Sequence, residues 1–408
     1  MGGSLLTDTL GNGLKCIARQ SPGATECCGL TFNSGSRDEV MDADHGLAHF
    51  VEHTIFKGTS RRSGSYVLNR MESVGGELNA FTTKEETTVY SLMPAGYFRR
   101  AARLIGELAT ESVFPERGLH LEREVVCDEI DSYLDSPAEA VYDLFDEMAF
   151  AGNPLAHNIL GRKQTVMDFS GERCRRYLRE RFTADNGVFF YLGPEDPQRV
   201  LREAEKAFAA LPLKAVGDLR TAPQLCRPEV AVQDSGSHQA HTVMGVEIGG
   251  LHAPDRHVTA LAVNILGGPG MNALLNLALR ERNGLVYTVE ASTALYSDCG
   301  LMTIYFGCDH QDLERCRRLV GRTLDGFASK ALTERALAAY KRQYLGQLTL
   351  GLDNREQTAL SAGRAILHGL QPPSFTLTAE KIASITPEQL RSAAENLAKS
   401  PLRTLSLS

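Results

Sequence analysis

Gly46-Leu47-Ala48-His49-Phe50-Val51-Glu52-His53-Thr54-Ile55-Phe56 is the stretch on which the reading of this 408-residue chain turns. Leu47, Phe50, Val51 and Ile55 recur at the spacing of a helix that faces a core. Asp44 is the expected N-cap and Gly58 the terminator, which predicts a helix over about 44–57. His49 and His53 are four residues apart, so they stand one turn above each other on one face. Two imidazoles so placed reach a single metal ion. Glu52 precedes the second histidine by one residue, where its carboxylate accepts a proton from a water on the metal without binding the metal itself.

Two histidines do not complete a catalytic zinc site; a third protein ligand is needed, with the fourth position left for water. The segment Glu122-Arg-Glu-Val-Val-Cys-Asp-Glu129-Ile lies in a helical stretch between Pro115 and Pro137. Glu122 and Glu129 are seven apart and share a face across two turns. Either carboxylate serves as the ligand, and the other then orients a ligand and tunes its basicity.

Outward from these motifs the chain reads as two halves. Residues 1–210 and 229–408 form the expected domains, joined by 211–228, which carries three prolines and no clear apolar period. The first half gives strands at Leu14–Arg19 and Gly29–Phe32, the helix at 44–57 and a second helix from Ser65 to Val74. Strands at Glu77–Phe81 and Thr87–Met93 and a long helix from about Ala95 follow. The second half repeats that order: a strand at Thr242–Val246, helices at 255–266 and 273–282, strands at Val286–Thr293 and Leu301–Phe306, and a helix from Gln311. The predicted fold is α+β: two homologous domains, each an antiparallel sheet covered by helices on one face.

Composition narrows the function. The net charge is -7, with no long basic stripe, which argues against a nucleic-acid partner. No apolar run is long enough to span a membrane, and no secretory signal is legible, so a cytoplasmic location is expected. Nine scattered cysteines without a C-x-x-C pair read as reduced, mostly buried thiols.

The motifs together resemble the pitrilysin family of inverted-motif zinc peptidases, which includes the mitochondrial processing peptidase. The matching pieces are HFVEH at 49–53, GGELNAFTTKEET at 75–87, EREVVCDEI at 122–130 and LRERNGLVYTV at 279–289. The resemblance implies that the third ligand follows the second histidine by about the interval seen at Glu129, 76 residues after His53. Glu122 then becomes the supporting carboxylate. It also implies one zinc ion per site, Asn79, Ala80 and Phe81 as an edge strand that holds an extended peptide, and Arg280 and Tyr287 as donors to the attacked carbonyl. Only the first half carries the metal motif; the corresponding helix of the second reads Val258-Thr-Ala-Leu-Ala-Val-Asn264.

The family's architecture implies a homodimer enclosing a chamber for unfolded peptides, or a heterodimer with a metal-free homologue. A non-catalytic partner subunit and a maturase dedicated to one precursor are the alternative functions. Two departures from the family pattern stand out. Pro269 stiffens the Gly-rich run at 266–273, and Cys127 takes the place of an aliphatic residue near Glu129.

Overall fold

Residues 4–40, 42–213, 220–224, 229–330 and 332–408 are described by the computed structural model of the chain. Much of the linker expected at 211–228, with Cys226, lies outside the described residues. In the first sheet, β1 (Leu5–Thr9), β2 (Lys15–Gln20), β3 (Thr25–Phe32), β4 (Glu77–Thr82), β5 (Thr87–Pro94) and β6 (Gly187–Gly193) run in the order β1-β2-β6-β3-β5-β4. In the second, β7 (Val230–Gln233), β8 (Ala240–Ile248), β9 (Val286–Leu295), β10 (Gly300–Cys308) and β11 (Arg403–Leu407) run in the order β7-β11-β8-β10-β9.

The first half contributes helices α1 (Leu47–Thr54), α2 (Gly64–Glu72), α3 (Phe98–Glu111), α4 (Glu116–Leu134), α5 (Pro137–Ala149), α6 (Lys163–Asp168), α7 (Gly171–Arg181) and α8 (Pro197–Phe208). The second contributes α9 (Arg256–Gly267), α10 (Leu313–Ser329), α11 (Glu334–Gly351), α12 (Arg355–Leu367), α13 (Phe375–Ala383) and α14 (Pro387–Lys399). The duplicated order is present: β3-α1-α2-β4-β5-α3 in one half and β8-α9-turn-β9-β10-α10 in the other. The α+β class with two sheet-and-helix units therefore holds. The structure adds one parallel pair to each otherwise antiparallel sheet, β2 with β6 and β7 with β11.

The two compact units are not contiguous halves. One comprises Met1–Asp131, His157–Arg220 and Leu352–Pro373; the other comprises Ser132–Ala156, Thr221–Gly351 and Ser374–Ser408. Each sheet thus takes a helix from the opposite half of the chain. In the first unit the main core, built on Phe50, Leu30, Phe189 and Phe208, lies on one face of the sheet. A second cluster of Ile17, Cys27, Phe190 and Leu192 with Ala359 and Ala362 places α12 on the other face. Strands β3 and β6 are buried on both sides, which is why TECCGLTF and GVFFYLG read as nearly unbroken apolar runs. The second unit mirrors this: α9, α10 and α14 share one core, and α5 packs Val141 and Phe145 against Val243 and Leu405.

Helix α1 is shorter than its sequence pattern. The expected N-cap Asp44 is instead ion-paired with Arg173, and the helix begins after Gly46, whose φ of 93° favours glycine. The cap comes from further away. The buried Glu39 carboxylate accepts from the Gly46 and Ala48 amides at 2.9 and 2.8 Å, satisfying donors of the first turn. At the other end a 3-10 turn, Ile55–Lys57, leads to Gly58 at φ 129°, the expected terminator.

Candidate metal centre

The apolar residues Leu47, Ala48, Phe50 and Val51 are buried and fix the rotation of α1. That rotation leaves His49, Glu52 and His53 on one side, with α1 packed beside the edge strand β4. The two imidazole rings lie with centroids 4.5 Å apart. Glu129 reaches in from α4: its Oε2 is 3.4 Å from His53 Nε2 and 3.8 Å from His49 Nε2. Nitrogen and oxygen donors of a tetrahedral ion with bonds of about 2.1 Å stand roughly 3.4 Å apart, so both carboxylate-to-imidazole separations are close to those of a zinc donor set. His49, His53 and Glu129 are also the group of metal-capable side chains found together among the described residues, with donor atoms within 4.8 Å of one another.

The electrostatics suit ligation. Burial, and then the neighbouring His53, lower the His49 pKa to about 3, so its ring is neutral and has a lone pair to offer. His53 Nδ1 donates to Glu122 Oε2 at 3.3 Å, which fixes the tautomer and leaves Nε2 facing Glu129. The other oxygen of Glu122 is ion-paired with Lys57. Glu129 keeps 42% of its side chain exposed, so the site is open to water on that side. Burial raises the Glu52 carboxyl above its ordinary value, Thr82 and His53 pull it back, and Glu129 pushes it up. Such a group holds and releases a proton closer to neutrality than a free carboxylate does.

The remaining sequence candidates fall in two places. Asn79, Ala80 and Phe81 lie on β4, which among the described residues pairs with β5 alone and leaves its other edge unpaired. Phe81 is braced against Tyr90, and the Asn79 amide donates to Glu77 at 3.4 Å. Arg280 and Tyr287 belong to the second unit and meet each other, the guanidinium lying 5.5 Å from the ring centroid. Arg280 sits on a π-helical turn, Asn276–Glu281, where an α-helix was expected; Arg282 N donates to Leu277 O, five residues back. Gly284 closes that turn at φ 60° and Tyr287 follows, 82% exposed, on β9.

Sequence reasoning missed Glu39, Lys57 and Thr82. Lys57 lies on the 3-10 turn that follows α1 and reaches Glu122; Glu39 and Thr82 act on α1 and on Glu52 through tertiary contacts with no local signal. None of the eight described cysteines forms a disulfide. Burial raises the Cys127 thiol above its ordinary value, and Lys163 pulls it back.

A duplicated sheet-and-helix chain, with an H-x-x-E-H helix that a distant glutamate approaches closely enough to share a metal ion, defines the class: an inverted-motif protein. The chain belongs to peptidase family M16. Residues 15–163 match Insulinase (Peptidase family M16), and residues 168–344 match Peptidase M16 inactive domain. It is 30% identical over 406 residues to an uncharacterized zinc protease of Streptomyces coelicolor, covering 97% of this chain and 87% of that one. It is 31% identical over 378 residues to the mitochondrial-processing peptidase subunit beta of Lentinula edodes, covering 88% and 80%.

Among solved structures, the Pseudomonas fluorescens peptidase M16 inactive domain superposes with a TM-score of 0.92 at 17% identity, covering 99% of this chain and 97% of that one. A protease from Helicobacter pylori superposes with a TM-score of 0.91 at 18% identity over the full length of both chains. At that identity these two show the fold alone. No helix among the described residues is long and apolar enough to cross a membrane.

Proposed function

We propose that the protein is a zinc-dependent endopeptidase acting on extended peptides. The observation that carries this reading is the convergence of His49, His53 and Glu129 beside a half-buried Glu52, all next to an open sheet edge. A zinc ion held by His49, His53 and Glu129 would polarise a peptide carbonyl and make a water acidic enough to deprotonate near neutral pH. Glu52 takes the proton from the attacking water and passes it to the departing amine nitrogen. Glu122 holds His53 in its ligating tautomer. Strand β4, with Asn79, Ala80 and Phe81, adds the peptide as a further strand through main-chain hydrogen bonds, which favours unfolded substrates with little sequence preference.

Arg280 and Tyr287 extend the proposal. Their mutual stacking and the exposure of Tyr287 present two donors for a carbonyl oxygen that gains negative charge. In a homodimer enclosing a chamber, this pair of one copy would serve the metal site of the other. The mitochondrial-processing peptidase relative, a beta subunit, makes a heterodimer the alternative assembly. The match to a domain described as inactive spans 168–344, whereas all three metal ligands lie in the other matched segment. That favours catalysis over a purely structural role.

The decisive experiment measures zinc content and cleavage of a mixed unfolded-peptide library by the wild type and by Glu52→Gln. The expected result is about one zinc per chain in both, with cleavage reduced about 10²–10⁴-fold in the variant. A protein that takes up no zinc, or equal cleavage by the two, rejects the enzyme in favour of the non-catalytic reading. The same library separates broad cleavage from that of a maturase confined to one sequence.

A further inference from the structure

The first unit carries a polar cavity, of about 270 Å³, whose lining includes Arg62, Arg70, Arg99, Arg100, Arg103 and Glu107. The arginines come from the approach to α2, from α2 itself and from α3. Five arginines thus line the cavity with one glutamate, in a chain whose net charge is -7. Glu107 is already engaged: it accepts from Thr59 Oγ1 at 2.5 Å and from Arg62 Nε at 2.8 Å. Just outside, Glu203 lies 3.9 Å from Arg103 but has a nearer partner in Lys206 at 3.0 Å. Among the described residues, Arg70 and Arg99 have no carboxylate within ion-pair distance.

Several of these groups are held in place without an anion. The Arg62 guanidinium lies 4.3 Å from the Tyr66 ring centroid and that of Arg70 5.6 Å from the same ring. Arg100 lies 5.2 Å from the Tyr97 ring and donates to the Arg70 carbonyl at 3.3 Å. Ring contacts of this kind fix a guanidinium plane and leave its edge donors free. Gathering like charges round a concavity raises the local positive potential and favours an anion that shares them. Guanidinium forks match the oxygens of phosphate groups, two donors to two acceptors.

We propose that this pocket is a binding site for a small anion with two or more phosphoryl groups, a diphosphate ester or an inorganic condensed phosphate. The cavity, at about 270 Å³, has room for a diphosphate. An acidic peptide spaces its carboxylates along a chain and cannot bring as many anionic oxygens into this volume. The site is separate from the metal centre and does not depend on the peptidase reading.

The test is isothermal titration of the full chain with inorganic pyrophosphate, orthophosphate and hexaglutamate. It is run on the wild type, on Arg99→Gln/Arg103→Gln, on Arg99→Glu/Arg103→Glu, and on Arg391→Glu as a control on a distant helix. Pyrophosphate also complexes divalent metals, so the comparison among variants with an intact metal site, rather than the heat itself, reports the pocket. Arg103 is largely exposed, at 67% of its side chain, so these changes leave the fold intact; circular dichroism checks this. The expected dissociation constant for pyrophosphate is on the order of 50 μM. Binding weakens at least about tenfold in both double variants and for orthophosphate, and is unchanged in the control. Wild-type binding weaker than about 1 mM, equal binding by the wild type and both double variants, or hexaglutamate binding as tight as pyrophosphate would each overturn the proposal.

Discussion

Glu122→Gln isolates what the carboxylate behind the metal ligand contributes. In the structure Glu122 bridges His53 Nδ1, at 3.3 Å, and the Lys57 ammonium. Its side chain is only 12% exposed, so its charge acts on the imidazole with little screening by water. Replacing it with an amide keeps the shape but removes the negative charge that faces the His53 ring. Losing such a supporting partner costs about 10–100-fold in metal affinity, or about 1.4–2.8 kcal/mol. Lys57 already shares that charge, so the lower part of the range applies, about 10–30-fold. Lys57→Met should act in the opposite sense, since it returns the whole carboxylate to His53. Zinc affinity is then unchanged or tighter by about threefold. Equilibrium competition against a chelating dye, at fixed pH and ionic strength, measures both. A change under about threefold for Glu122→Gln, or equal weakening by the two variants, would refute the assignment of Glu122 as the group that tunes His53.

Three further outcomes follow from the packing. Gly363→Val should destabilise the first unit by about 1–3 kcal/mol in urea unfolding, because a Cβ at Gly363 would lie 2.6 Å from the Phe190 ring; no measurable change would mean that α12 does not dock on this sheet. Glu39→Gln replaces an acceptor facing two backbone donors of α1 and should cost about 1–3 kcal/mol while also weakening zinc binding; unaltered stability and zinc affinity would count against the distant cap. Burial pushes the Glu86 carboxyl up, but its bonds to His368 and Arg364 outweigh that and hold it below its ordinary value. A carboxylate so lowered stabilises the fold above its unfolded pKa, and that contribution is lost as pH falls through the folded value. The urea midpoint should therefore drop on acidification below the ordinary carboxylate value of 4.5 in the wild type, and less steeply in Glu86→Gln; parallel pH profiles would contradict the link.

What the sequence revealed and what it concealed divide along one physical line. The helix of His49 and His53 was legible because its apolar stripe has one period and one buried face. The distance to Glu129 was supplied by resemblance, since spacing within α4 left Glu122 equally placed. The cap at Asp44 was misjudged because a local rule met a tertiary competitor: the Glu39 carboxylate occupies the amides that a cap would take, and Arg173 draws Asp44 away. The π-helical turn at Arg280 was invisible for a similar reason. Its register is set by Asn276 bonding the Met271 carbonyl and Asn283 bonding that of Ala278, not by helix propensity.

The largest omission concerns α5 and α12, and it bears on the metal chemistry. Fully apolar runs such as Gly187–Gly193 imply a sheet covered on both faces, yet they do not say which helix does the covering. In the first unit Gly363 of α12 lies against Phe190 of the sheet; in the second, Gly245 of the sheet lies against Phe145 of α5. The same ring-on-glycine contact thus recurs with the partners' roles reversed. α12 also supplies Arg364 to Glu86 and Glu356 to the Tyr90 hydroxyl at 2.6 Å, and His368, which follows its last residue, also bonds Glu86. Tyr90 lies on β5, the strand that pairs with β4, and β4 flanks α1. The sheet that supports the histidine helix is therefore backed by residues from the far end of the chain. A cut at the boundary between the halves would leave Ile17, Cys27 and Phe190 facing water, although every metal ligand would remain on the fragment. The metal motif is local in sequence, but the rigid surface that holds its three donors within reach of one ion is a property of the whole chain.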